Sequence, residues 1–194
     1  MEVRGKLINV SRPYYQVETT YTKQCVSFII CDEKGKNHFF SVSYDDHMKL
    51  IMISETGDEL AVKLHYSPEC GLLHAGHRLE DVENLTLGLS SKLEKVKKQR
   101  VNGRLERMSR AFCLTTAFYH GEHDCVKPEI VVRALFVLNV KGRKIVAETE
   151  RMEVIQFLQM TNKGDALSVE FTFSGEVSYI RNKKLQVTYR DLRK

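Results

Sequence analysis

The stretch TGDELAV at residues 56–62 returns as KGDALSV at residues 163–169. Both contain a Gly-Asp pair followed by a leucine and a valine in the same order. A short motif of this kind can recur by chance, or it can mark one structural unit that is present twice. The second explanation predicts further matches at constant spacing.

Such matches occur at two spacings. Gly35 and Gly142 are 107 positions apart, and so are residues 83–85 (ENL) and 190–192 (RDL). Near the start, VRGKL at 3–7 matches VNGRL at 101–105 with a spacing of 98. The sequence therefore predicts a duplication, with nine extra residues between the first and second strands of the second copy.

Each copy contains five strand patterns and one helical pattern. In the first copy, CVSFIICD and NHFFSVSY flank the turn EKGK, which predicts a hairpin. DDHMKLIMIS then places Met48, Ile51 and Met52 at helical spacing behind an acidic residue. GDELAVKLHY and HRLEDVENLTL supply the last two strands, and KKLQVTYRDL is the predicted last strand of the second copy.

A helix between the third and fourth of five strands is the order of the OB-fold, a partly open Greek-key barrel. The Gly-Asp pair suits the turn after that helix, since Gly adopts positive φ and Asp bonds to nearby backbone. Through MEVRGKLINV, EKGK, TGDELAV and HRLEDVENL the sequence resembles OB-fold single-stranded DNA-binding proteins. We expect an all-β chain with short helices: two tandem five-stranded OB-fold barrels at 1–88 and 101–194, joined by a basic linker at 89–100.

The composition fits a globular protein, with 42% hydrophobic and 28% charged residues. No run of about 18 apolar residues and no apolar leader occurs, so we expect no membrane span, no signal peptide and a cytoplasmic location. Five scattered cysteines favour reduced thiols. The net charge of +5 favours a polyanionic partner without establishing one.

OB barrels that bind nucleic acid use the face of strands two and three and the loops after strands one and four. Aromatic rings there stack on bases, and cations contact phosphates. Alternation assigns Val26, Phe28 and Ile30 to the core and places Phe39 on the opposite face, beside small polar residues. The nucleic-acid-binding residues predicted in the first copy are Arg12, Tyr14, Tyr15, Tyr21, Lys23, Phe39 and Lys63.

In the second copy the alternation predicts that Phe136 faces away from a core of Leu135 and Val137. Arg133 then falls on the inward side, which indicates either a bulge or a register that is one residue off. The other predicted contacts are Phe118 and Tyr119 in the longer loop and Lys95, Lys97 and Lys98 in the linker. The tyrosines suit the end of a barrel equally well, and the lysines suit a solvated helix.

The segment from Cys113 to Cys125 also contains His120 and His123, which are zinc-ligand types. Its spacing differs from that of paired-cysteine zinc motifs, so we expect surface loop histidines and neither a metal nor a cofactor. YDDH at 44–47 is interpreted as a helix start, where acidic residues are favoured. Because no phosphate-binding loop or nucleophile motif is present, we expect no enzymatic activity.

These patterns favour binding of single-stranded DNA, or alternatively RNA, with low sequence specificity. The expected role is accessory to replication, recombination or repair, with proteins of those processes as partners, no membrane, and homo-oligomers through exposed strand edges. The alternative is a protein-protein interaction adaptor built from two OB-folds, since a fold does not determine function. Composition and spacing do not separate DNA from RNA, because the 2′-hydroxyl contact is a matter of geometry.

Overall fold

The computed structural model describes residues 1–17, 22–43, 46–66, 77–93, 96, 100–116 and 129–190. The chain divides into two compact units, Met1–Leu93 and Glu94–Lys194. The bounds predicted for the linker, 89–100, stay a prediction.

The first unit is an OB-fold barrel of antiparallel strands. Its elements are β1 (Glu2–Val10), β2 (Tyr14–Val17), β3 (Thr22–Cys31), β4 (Asn37–Ser43), α1 (Asp46–Ile53), β5 (Glu59–Tyr66), β6 (His77–Asn84) and β7 (Leu89–Ser90). β1 pairs with β3 and β5, β3 pairs with β4, and β5 pairs with β6. α1 follows the third barrel strand and packs against β3, β4 and β6. The predicted fold class is confirmed.

The second unit repeats this arrangement. Its elements are β8 (Arg100–Met108), β9 (Phe112–Thr116), β10 (Glu129–Val140), β11 (Arg143–Thr149), α2 (Met152–Gln159), β12 (Ala166–Phe171), β13 (Val177–Asn182) and β14 (Val187–Arg190). β8 pairs with β10 and β12, β10 pairs with β11, and β12 pairs with β13. The five barrel strands therefore connect in the same order in both units.

Within the described residues, four short strands extend the barrels, and three of them, β2, β7 and β9, were not predicted. β2 pairs with β3, and its counterpart β9 pairs with β10. β7 and β14 pair with the last barrel strands. These segments are two to five residues long, which is too short for alternation to distinguish a strand from a loop.

The predicted core of the first unit is confirmed. Val26, Phe28 and Ile30 on β3 are at most 1% exposed, and Leu60 and Val62 on β5 are fully buried. The residues between them on each strand point to the other side of the sheet, since side chains alternate along a strand. Binary alternation was therefore sufficient to orient β3 and β5.

The same buried Asp-Asn pair is found in the described part of both units and establishes which residues correspond. Asn84 Nδ2 donates to Asp58 Oδ2 at 2.8 Å, and Asn182 Nδ2 donates to Asp165 Oδ2 at 3.0 Å. All four residues are at most 6% exposed. The bond joins the end of the last barrel strand to the turn after the helix, which makes Asn182 the counterpart of Asn84.

This correspondence corrects the predicted end of the second barrel. Its last strand is β13, whereas KKLQVTYRDL contributes the added strand β14. The match between 83–85 and 190–192 is wrong, because Asn84 and Asn182 are 98 positions apart. The second unit thus gains ten residues between its first and second strands, has one fewer in the next hairpin and nine fewer between the fourth and fifth strands.

The Gly-Asp motif forms the predicted turn in both units. Gly57 has φ +97° and Gly164 has φ +89°, values that disfavour any residue with a Cβ. Their N–H groups donate to the carbonyls of Leu7 at 2.8 Å and Leu105 at 2.7 Å. The motif recurs because the same turn bonds to the first strand of each barrel.

The glycine shared by VRGKL and VNGRL lies where two strands nearly touch. A Cβ on Gly5 would be 2.2 Å from the carbonyl oxygen of Cys31, and a Cβ on Gly103 would be 2.8 Å from that of Asn139. Neither distance is sterically acceptable, so the closeness of the first and second barrel strands requires glycine here.

α1 and α2 have eight residues each, and across the described ranges no helix has the length and apolar character needed to span a membrane. The cytoplasmic location stays a prediction.

Candidate nucleic-acid interface

The outer face of β3 and β4 in the first unit presents an exposed aromatic ring above small polar residues. Ser27 lies opposite Ser41, and Ile29 lies opposite Phe39. Phe39 is 54% exposed, whereas the neighbouring Phe40 on the core side is 4% exposed. The sequence placed Phe39 on this side of the sheet, and the structure leaves its ring accessible.

Tyr14 covers part of the same face. Its hydroxyl lies 2.8 Å from Ser27 Oγ and 2.9 Å from Ser41 Oγ, so the two serines hold the ring over the sheet. The ring is still 38% exposed. Tyr14 and Phe39 therefore share one surface, called here the Tyr14–Phe39 face: Tyr14, Ser27, Ile29, Phe39 and Ser41.

Tyr15 does not join this face. Tyr14 pairs with Cys25 and Tyr15 pairs with Gln24, so the two tyrosines point to opposite sides of β2. Tyr15 is 37% exposed. Of the two described tyrosines predicted as contacts, the structure brings only Tyr14 to Phe39.

The predicted cations have different surroundings. Arg12 is exposed just before β2, and Lys23 is half-buried on β3. Lys63 Nζ lies 2.7 Å from Glu83 Oε1, and this hydrogen bond raises the pKa of Lys63. Lys63 pairs with Glu2, at the start of β1. Phe28 on β3 pairs with Val10, at the other end of β1. Lys63 is therefore separate from the Tyr14–Phe39 face.

Arg4 near Lys63 is also engaged by an acidic side chain. Its guanidinium forms a hydrogen-bonded ion pair with Glu2, and this contact raises the pKa of Arg4. The outer side of β1 and β5 thus carries alternating charges of both signs.

In the second unit the prediction for Phe136 is wrong. Phe136 is fully buried and packs in the barrel core with Leu138 and Ala147. Leu135 and Val137, predicted as core, lie on the opposite side of β10 and are also fully buried. The second unit therefore has no exposed ring on the described part of this face.

The error arises from a hairpin that differs by one residue. Ile30 pairs with His38 in the first unit, eight positions later, whereas Leu138 pairs with Ile145, seven positions later. Phe136 therefore corresponds to Phe28, because a shift of one residue exchanges the two faces of a strand. Of the two explanations for Arg133, the shifted register is correct.

Arg133 lies on the same side of β10 as Leu135. Its guanidinium forms ion pairs with Glu148, at 3.5 Å, and with Glu150 on or beside β11. Acidic partners on the neighbouring strand therefore hold this cation in place.

Phe173 is an aromatic residue that the sequence analysis missed. It is 89% exposed in the turn between β12 and β13, which is the loop after the fourth barrel strand. Thr172 N–H donates to the Glu176 carbonyl at 2.7 Å and closes this turn. The sequence FTFSGE at 171–176 could have indicated this exposed ring. The strand alternation ends at the buried Phe171, and Phe173 comes directly before a Ser-Gly turn.

Two arginines lie on the strands next to β12 and β13. Arg100 on β8 and Arg190 on β14 both stand over the Tyr179 ring, with guanidinium carbons 5.5 and 5.4 Å from the ring centroid. Arg100 is also 3.4 Å from Glu170.

The remaining predicted contacts lie outside the described residues. They are Tyr21, Lys95, Lys97, Lys98, Phe118 and Tyr119. Of the proposed zinc ligands, only Cys113 is described, and its side chain is exposed. Among the described residues no group of three or more His, Cys, Asp or Glu side chains is arranged to hold a metal ion.

A scan against protein-family models finds no match, and a search of curated proteins finds none either. Among solved structures, the chain is similar to a replication protein A heterotrimer bound to ssDNA, with 10% identity and a TM-score of 0.31. The similarity covers 88% of this chain and 43% of the other chain. At this level of similarity it carries no argument about function.

Proposed function

We propose that the chain binds single-stranded nucleic acid, DNA rather than RNA, with little sequence preference. The observation that supports this most directly is the Tyr14–Phe39 face. It offers two accessible rings on the outer side of the second and third barrel strands, which is the side that OB barrels use for nucleic acid. Stacking is tolerant of sequence because every base has a π-face.

The arrangement of the two rings supports stacking over a general apolar contact. Tyr14 is held by hydrogen bonds to Ser27 and Ser41, so little side-chain freedom remains to be lost when a base stacks on it. The rest of the face consists of Ser27, which is 8% exposed, Ile29 and the half-buried Ser41, whose hydroxyl can hydrogen-bond a sugar or a base edge.

The role proposed is binding without catalysis, as an accessory to replication, recombination or repair. Proteins of those processes, and a second copy of this chain, are the proposed protein partners. The net charge of +5 favours association with a polyanion.

The test is fluorescence anisotropy with labelled single-stranded DNA, single-stranded RNA and duplex DNA at two salt concentrations. Single-stranded DNA is expected to bind most tightly, and its affinity should fall as salt rises, because cations compete for phosphates. Phe39→Ala is expected to weaken binding about 5- to 150-fold, since a stacked base contributes about 1–3 kcal/mol.

The matched control is Met160→Ala, which removes an exposed apolar side chain, 61% exposed, at the end of α2. It should leave the affinity unchanged. Absence of binding to any single strand at low salt would contradict the proposal and favour the adaptor role. Equal reductions of affinity in the two variants would show that Phe39 has no specific part.

A further inference from the structure

A cavity of about 620 Å³ lies in the second unit, outside the surfaces described above. It is bordered by β8, the tip of the hairpin between β10 and β11, the turn between α2 and β12, and the residue after β13. Four of its lining residues are cations: Arg104, Lys141, Lys163 and Lys183.

All four cationic side chains are exposed, and within the described part of the chain none of them forms an ion pair. Glu106, the one acidic residue lining the cavity, lies 2.7 Å from Lys144 and is therefore neutralised locally. The cavity is thus lined by four cations that form no ion pair within the described residues, and its one acidic residue is paired with Lys144.

The first unit shows that the barrel does not need these charges. Lys6 pairs with Glu59 across β1 and β5, whereas the corresponding Arg104 pairs with Ala166 across β8 and β12. The residue opposite the cation is therefore acidic in the first unit and alanine in the second.

Two further lysines are particular to the second unit. In the first unit the Leu85 N–H donates to the Glu59 carbonyl at 2.8 Å. In the second unit the Lys183 N–H donates to the Ala166 carbonyl at 3.1 Å. Because these two bonds are equivalent, Lys183 corresponds to Leu85. Thr56 likewise corresponds to Lys163, since each precedes the glycine of the shared turn. At these positions the second unit gains two cations and loses one acid, whereas elsewhere on the first strand Asn102 replaces Arg4 and Glu106 replaces Ile8. Over the whole lining the second unit therefore has one more cation than the first and the same number of acids.

We propose that this cavity is a phosphate-binding site. Its volume accommodates more than one phosphate group, and four cations around a single opening suit a ligand with several negative charges. Two sources supply that chemistry: the backbone of a single-stranded nucleic acid and a free polyphosphate. That the cavity binds phosphate does not depend on the proposed function. Only the choice of a nucleic-acid backbone as the source of the phosphates rests on it.

The surface of the second unit favours the nucleic-acid backbone over a free polyphosphate as the source of the phosphate groups. Leu135 and Val137 are fully buried on the face where the first unit exposes Phe39, so stacking on that face is blocked at these positions. Phosphate contacts in the cavity would still let the second unit add to affinity and to its salt dependence.

The test uses the full chain and two probes, inorganic tripolyphosphate and a single-stranded DNA oligonucleotide. Both are titrated while the backbone amide signals of Gly103, Gly164 and Lys183 are followed by NMR. Tripolyphosphate is expected to shift these signals. In a Lys163→Glu/Lys183→Glu variant its affinity should fall about tenfold or more, since two nearby charges change sign.

The matched control is Lys34→Glu/Lys36→Glu, which makes the same charge change at exposed positions of the first unit's hairpin. It should bind tripolyphosphate like the wild type. All four substituted lysines are exposed, and melting temperatures verify that both variants are folded.

The oligonucleotide then identifies the source of the phosphates. Weaker DNA binding by the cavity variant, with a salt slope lower by about 0.7 for each phosphate that is no longer neutralised, supports the backbone. Unchanged DNA affinity with weaker tripolyphosphate binding supports a free polyphosphate. If the wild type binds no DNA, the proposed function fails while the tripolyphosphate result still decides the site. Unshifted signals, or an equal reduction of affinity in the control, would overturn the inference.

Discussion

Two buried carboxylates, Asp58 and Asp165, join the turn after each helix to the last strand of the barrel. Each accepts a hydrogen bond from an asparagine at the end of the last barrel strand and another from the backbone N–H three residues earlier. The motif GD was visible in the sequence, but its asparagine partners were not, because they lie 26 and 17 positions away. Only the folded chain identifies Asn182 as the counterpart of Asn84.

The Asp165 carboxylate predicts an acid dependence of stability. The Asn182 side chain, the Asn162 N–H and Lys184 hold the pKa of Asp165 below its ordinary value of 3.8. Its contribution is therefore present above about pH 4 and is lost as the pH falls through the lower folded-state pKa. Urea unfolding of wild type and Asp165→Asn between pH 7 and pH 2.5 should show a smaller acid-induced decrease in stability for the variant.

The control for this experiment is Glu153→Gln, which changes an exposed carboxylate on α2. Its stability should follow the wild-type pH dependence. Parallel curves for wild type and Asp165→Asn would mean that this carboxylate does not contribute to the acid dependence.

At the scale of the element, strand patterns were predictable and strand registers were not. Alternation correctly assigned the core-facing sides of β3 and β5 and the helix α1. The core-facing residues of both strands are buried, whereas their other sides contain buried residues, such as Ser27 and Ala61, together with more accessible ones, such as Ile29 and Glu59. Alternation failed for β10, where Ala134, Leu135, Phe136, Val137 and Leu138 are all fully buried. A strand that is buried on both faces has no alternation to read, so the hairpin length alone determined its register.

The close approach of the first and second barrel strands gives a prediction for two equivalent glycines. Gly5→Ala would bring a Cβ within 2.2 Å of a backbone oxygen, whereas at Gly103 the nearest atoms are 2.8 and 2.9 Å away and the second belongs to the Val140 side chain. Overpacking of this kind costs about 1–3 kcal/mol. Gly5→Ala should therefore lower the free energy of unfolding more than Gly103→Ala does.

Chemical denaturation checks this order, with Lys6→Ala at the neighbouring exposed position of β1 as the control. The control should remain within about 0.5 kcal/mol of the wild type. If the Gly5→Ala variant had the same free energy of unfolding as the wild type, β1 and β3 would be able to move apart at this point without loss of stability.

At the scale of the whole molecule, two barrels of one design expose different surfaces. The first unit presents Phe39 and Tyr14 on the outer face of its sheet, while the second unit buries Leu135 and Val137 on that side. The second unit instead exposes Phe173 and the cationic cavity. The duplication was predictable from the Gly-Asp turn, because both barrels need it. These surfaces were not, because they depend on hairpin length, loop length and single substitutions that the fold tolerates.

Photocrosslinking of a bound thymine-rich single strand, followed by mass spectrometry of the peptides, tests the Tyr14–Phe39 face most directly. We predict crosslinks to the peptides that contain Tyr14 and Phe39, and their disappearance when excess unlabelled single strand competes. Phe136 should form none, because its ring is fully buried. Crosslinks that leave out both Tyr14 and Phe39, from a strand that binds the folded protein, would contradict the assignment of this face.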